Sequence, residues 1–236
     1  ILKKLIDFIA FNIDKNSTID KDIQNIAKSI DQSIPVKSIK KHIYVDITAT
    51  FKNDLKTGIE RAARAILINL IENAPPGYFV EPVYLTDEGG SWHYKKARSY
   101  LQKILNYKEG ILEDEILEPN PGDIILGLDI SGDDLIKAKN DGLFEYLMGK
   151  GTKIYFTVHD LLPIRFPQFF PPGTNLWFEE WLKAVCSFDG VICVSKAVAD
   201  DLKNWLQDSN IKRSRPFKIG YNHHGSDLEN SIPTKG

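Results

Sequence analysis

His159-Asp160 follows the β-branched and aromatic run Lys153–Val158 and precedes Leu161-Leu162-Pro163. An imidazole at the carboxyl end of a strand can donate to a sugar hydroxyl or an oxyanion, and the neighbouring carboxylate can orient it or grip a second hydroxyl. A structural histidine in a turn is the plain alternative. A metal site of the His-Asp kind needs further His and Asp ligands on helices, whereas this pair follows a strand, so no metal is expected. A second place for chemistry is Lys56-Thr57-Gly58, at the start of a long helical stripe. Thr57 can cap that helix, and Gly58 lets a ligand approach backbone N–H groups at the positive end of the dipole, a geometry that suits phosphate. The text is neither GxGxxG nor GxxxxGK[ST], and a simple cap is the competing reading. Asp129, beside Ser131 and Gly132, stands on the ligand edge, while Asp46 reads as a satisfied core carboxylate. Ser195 opens a helix without the GxSxG elbow, which argues against a hydrolase nucleophile and for a cap. His223 and His224 are adjacent on an extended tail and face opposite ways, a poor chelate. Trp177, Phe178 and Trp181 fall at helical spacing and read as packing.

The elements that must position these residues alternate. Short apolar strands are predicted at 43–48, 79–85, 123–128, 153–158 and 190–194, with a last short one at 217–220. Helices are predicted at 57–73, from Asp133 to Met148, at 174–188 and at 195–207, with helical text between the second and third strands. Strands that are apolar throughout and alternate with helices indicate a doubly wound parallel α/β sheet covered on both faces. Ligands in such sheets sit beyond the carboxyl ends of the strands, near the switch in strand order. The loops after Thr48, Leu85, Leu128, Val158 and Val194 are therefore the ones to inspect. Residues 1–41 differ: rich in Ile, Lys and Asp, with stripes Leu2-Leu5-Ile6-Ile9 and Ile19-Ile23-Ile26-Ile30 ending at Pro35, they read as a helical linker or packing arm. The domain proper is expected over 42–236.

Composition closes off other classes. With 236 residues, 42% hydrophobic and 26% charged, the chain has enough apolar text for a full core, which excludes wholesale disorder. Thirty basic against thirty-two acidic residues give a net charge of −2 without a dense basic block, so nucleic acid is not an expected partner. Cys186 and Cys193 lie in apolar segments without a CxxC and read as packed, reduced thiols of a cytosolic protein. No apolar run approaches the roughly 18 residues of a spanning helix. The start at Ile1, with no signal-peptide pattern, is read as a piece of something longer.

Together, Ile43-Tyr44-Val45-Asp46-Ile47-Thr48, Lys56-Thr57-Gly58-Ile59-Glu60-Arg61-Ala62-Ala63-Arg64, Val158-His159-Asp160-Leu161-Leu162-Pro163 and Ile192-Cys193-Val194-Ser195-Lys196-Ala197-Val198 resemble the amino-terminal half of glycosyltransferase family 4. The likeness runs over about residues 42–230 and is nearest to the mannosyl- and rhamnosyltransferase-like members of bacterial surface-polysaccharide assembly. It implies a GT-B arrangement of two Rossmann-like domains facing a cleft, the first holding mainly the acceptor and the second the nucleotide sugar. The family's Glu-x7-Glu motif belongs to that second domain, and no glutamates here have that spacing. Tyr221 to Asp227 resembles the crossing to the second domain, so the chain corresponds to the acceptor-side half. By position, His159 matches the histidine that reaches the donor sugar. Thr57-Gly58 matches the glycine loop near the donor phosphates, with Thr57 where the family often has a first glycine. Ser195 and Lys196 match the segment lining the cleft.

The resemblance implies transfer of a hexose or deoxyhexose from a nucleotide sugar to a glycan or lipid-linked acceptor, with retention, without metal or other cofactor. The catalytic candidates are His159 and Asp160, and the substrate- and donor-binding candidates are Thr57, Gly58, Asp129, Ser195 and Lys196. The expected location is the cytoplasm, with at most peripheral contact at the inner face of the membrane. A nucleotide-sugar epimerase on the same scaffold and a non-catalytic docking module of an assembly complex are the rival readings. The acidic stretch Glu113–Glu118 and the aromatic segment Phe166–Phe178 would be contacts of the latter.

Overall fold

The computed structural model describes residues 40–53, 55, 57–105, 113–213 and 215–223, together with Asn25. The chain parts into two units between Ile39 and Lys40, and the arm expected over 1–41 lies outside the described residues apart from Asn25, Lys40 and Lys41. Lys41 already opens the first strand.

Eight strands form one sheet: β1 (Lys41–Asp46), β2 (Tyr78–Thr86), β3 (His93–Lys96), β4 (Glu115–Ile116), β5 (Ile124–Gly127), β6 (Lys153–Val158), β7 (Gly190–Cys193) and β8 (Lys218–Tyr221). Their order is β4-β3-β2-β1-β5-β6-β7-β8. Every pair from β2 through β8 is parallel, whereas β2–β3 and β3–β4 are antiparallel. The fold is thus α/β and Rossmann-like, with an antiparallel edge that the all-parallel expectation missed. Only Tyr94 of His93-Tyr94-Lys95-Lys96 is buried, so that strand carries no apolar run to be read.

The helices are α1 (Thr48–Lys52), α2 (Gly58–Glu72), α3 (Arg98–Ile104), α4 (Gly132–Asn140), α5 (Leu143–Gly149), α6 (Leu162–Arg165), α7 (Thr174–Val185) and α8 (Lys196–Asp208). The single helix expected from Asp133 to Met148 is two, because Gly142 takes φ +86° and turns the chain between them.

The chain leaves β1 toward β2 on one side and leaves β5 toward β6 on the other. Right-handed crossovers in opposite directions put their helices on opposite faces. Ile43, Val45, Ala63 and Leu67 join one apolar cluster with α2 and α3. Tyr44, Leu135, Phe144, Phe156, Trp181 and Leu202 join the larger cluster under α4, α5, α7 and α8. Gly127 makes that packing possible, since a Cβ there would stand 2.1 Å from Cδ1 of Phe156. On the α2 face, β5 to β8 carry no described helix. Ile124, Leu126, Tyr155 and Ile192 line an apolar groove of about 320 Å³ there. The expectation of cover on both faces is met by the described residues over only half the sheet.

Candidate active site

The switch in strand order falls between β1 and β5, and the crevice lies beyond their carboxyl ends. Asp46 ends β1 and is fully buried. Its Oδ1 accepts the Thr48 N–H at 2.9 Å and also the Thr48 hydroxyl, and its Oδ2 accepts the Tyr94 hydroxyl at 2.8 Å. The Thr48 hydroxyl in turn accepts the Leu85 N–H at 2.9 Å. This network ties β1, β2 and β3 together at the ligand edge, and Asp46 is the satisfied core carboxylate that the sequence suggested. Burial pushes its carboxyl above the ordinary range.

Asp129 is also buried, only 1% exposed. Its Oδ2 accepts the Thr50 N–H at 2.8 Å, which docks α1, and its Oδ1 has no hydrogen-bond partner. Burial, then the charge of Asp46, raises its carboxyl to about 7. The structure therefore puts Asp129 beneath α1, where it acts on the crevice through Thr50, not as the open ligand-edge group expected. α1 carries Lys52, which the sequence gave no signal for. Its Nζ is 2.9 Å from Asp134 and 5.5 Å from the centroid of the Trp92 ring.

His159 emerges from β6, the neighbour of β5. Its Nε2 lies 2.9 Å from the carbonyl oxygen of Leu128, on the loop beyond β5. A carbonyl can only accept, so Nε2 carries a proton and donates it. The donor role of Nε2 is thus spent on backbone. Asp160 uses Oδ1 to accept the Leu162 N–H at 2.9 Å, fixing the turn into α6.

Thr57 is the residue before α2, extended at φ −69° and ψ 177°. Its N–H donates to Oε2 of Glu60 at 2.8 Å and its hydroxyl meets the same carboxylate. One donor of the expected phosphate cradle is therefore already paired with an anion. Gly58 has open space where a Cβ would be, so no local packing requires a glycine there. Lys56 lies outside the described residues.

Ser195 caps α8, its Oγ accepting the Val198 N–H at 3.2 Å. Lys196 is exposed in the first turn, where the helix dipole disfavours a cation. Cys186 and Cys193 are both buried and unpaired, their thiols pushed by burial to about 12 and about 11. The described residues contain no group of three or more His, Cys, Asp or Glu that could hold a metal.

Comparison with known proteins finds three relatives. Three Escherichia coli proteins, each described as "Serotype-specific mannosyltransferase WbdA", are 32% identical to this chain over 203 to 205 residues. The alignments cover 84 to 85% of this chain and 24% of each relative. This chain resembles one segment of a bacterial mannosyltransferase. It spans about a quarter of the length of the curated relatives it matches. No family model matches, and no solved structure does. The likeness to mannosyltransferases agrees with the glycosyltransferase resemblance seen in the motifs. None of the described helices is long and apolar enough to cross a membrane.

Proposed function

We propose that this chain is the acceptor-side half of a family 4, GT-B glycosyltransferase that moves mannose or a related hexose from a nucleotide sugar to a growing surface glycan, with retention. The observation that carries the reading is the likeness to the mannosyltransferases over most of this chain, with His159 bridging from β6 to the loop beyond β5. In this reading the His159 ring meets the donor sugar, and Nε2 holds it in register through Leu128. Asp160 keeps the turn that presents the imidazole. The leaving diphosphate is drawn by Lys196 and the start of α8 and by the backbone at Gly58, so the reading needs no metal. The donor nucleotide belongs to a second domain, and the enzyme works in the cytoplasm against the membrane face where a lipid-linked acceptor would stand.

The test uses the longer protein that contains this chain, supplied with GDP-mannose and a mannan primer. His159→Ala should lower transfer by roughly a hundredfold or more, the range seen when one fixed polar contact to a transition state is removed. Near-normal transfer would sink the assignment, and release of an isomerised sugar without acceptor would support the epimerase reading instead.

A further inference from the structure

We propose that the pocket between the start of β3 and α5 is a subsite for one neutral hexose unit of the acceptor glycan. The proposal rests on the transferase reading and adds a place and a ligand class to it. The pocket has a volume of about 270 Å³ and is lined by Trp92, His93, Glu118, Asp141 and Tyr146 among others. At roughly 30 Å³ per water that equals about nine waters, room for a single sugar ring.

Its His93 wall stands at the same edge of the sheet as His159. His93 pairs with Thr86 at the carboxyl end of β2. Trp92 stacks under Lys52 of α1, and Lys52 pairs with Asp134 at the start of α4, so a run of contacts joins the pocket to the crevice.

Three features select a sugar. The Trp92 indole and the Tyr146 ring, the latter 47% exposed, are flat apolar faces with polar tips, which suit the C–H face of a pyranose. The Trp92 N–H donates to Asp141 Oδ2 at 3.0 Å, which fixes the segment that carries the indole. His93 Nδ1 lies 2.9 Å from the Ser91 carbonyl, so it carries the proton and Nε2 is left as an acceptor. That Nε2 is buried and has no partner. A buried acceptor without a donor is costly, and a ligand hydroxyl would supply one.

Glu118 and Asp141 are the charged residues of the lining, while Lys52 and Lys150 stand 5.5 and 5.4 Å from the Trp92 and Tyr146 ring centroids. The carboxylates of the lining accept readily from the vicinal hydroxyls of a neutral sugar.

The experiment is saturation-transfer NMR on this chain with α-mannotriose, and with GDP-mannose as the charged competitor. Mannotriose should bind with one ring saturated most strongly, GDP-mannose should not displace it, and Trp92→Ala and Tyr146→Ala should each weaken it at least tenfold. Tyr146 is exposed enough that its truncation leaves the fold intact, which a melting curve checks. Unchanged mannotriose binding in both variants overturns the proposal, as does displacement by GDP-mannose. Absence of mannotriose binding, while His159→Ala still abolishes transfer by the longer protein, overturns the subsite and leaves the transferase standing. Pocket-dependent binding together with no transfer by the longer protein does the reverse.

Discussion

Gly58 and His159 show how differently two residues at one edge are constrained. At Gly58 the backbone is helical, and the space for a side chain is empty. Alanine is the better helix former by up to about 1 kcal/mol. Gly58→Ala should therefore melt at the same temperature or slightly higher, while transfer by the longer protein falls at least tenfold because the methyl stands where a ligand meets the backbone. Thermal melts and initial rates on the same preparation check both halves, and a variant that is both stable and fully active would make Gly58 a neutral helix start. At His159 the restraint is the opposite, since the ring is held through Nε2 by a carbonyl. Its His-Asp neighbourhood was legible from type and position alone. The tautomer was not, because it depends on Leu128, 31 residues away.

α1 is the short element whose seating decides the shape of the crevice, and it sits on a carboxyl group that resists ionisation. The folded value of Asp129, about 7, lies above the roughly 3.9 of an unfolded aspartate. A raised value means that the folded state binds the extra proton, so the stabilisation is complete below about pH 4 and is lost as pH rises through 7. Asp129→Asn should remove that dependence. Its gain in melting temperature over the parent should be small at pH 5 and should grow toward pH 8, on the order of 1–3 kcal/mol there. A gain that is constant with pH would mean that Asp129 ionises freely. The strands and long helices around α1 were legible from period and caps, with β6 and the start of α7 read to the residue. The β3–β4 edge was not, because His93-Tyr94-Lys95-Lys96 buries a single ring and its register is set by Thr86 and Ile116 across the ladder. The break at Gly142 was also missed, since the apolar spacing of α4 runs on into α5 and only the positive φ interrupts it.

At the scale of the molecule, the resemblance divides labour between two domains, with this chain on the acceptor side. Calorimetric titration of this chain with UDP-, GDP- and dTDP-sugars should give millimolar affinity or none. Tight, base-selective binding would show a complete donor site here and end the half-enzyme reading. A different consequence follows from the sheet, which among the described residues is clad across its full width on one face and over only β1 to β3 on the other. Ile124, Leu126, Tyr155 and Ile192 form a stripe of grease on a flat, rigid plate. An apolar groove open to solvent favours contact with other apolar surface. A fragment of residues 40–223 should therefore associate through that groove. Polar replacements at Leu126 and Ile192 are the economical way to keep such a fragment in solution, because they alter the plate and leave the crevice on the perpendicular edge untouched.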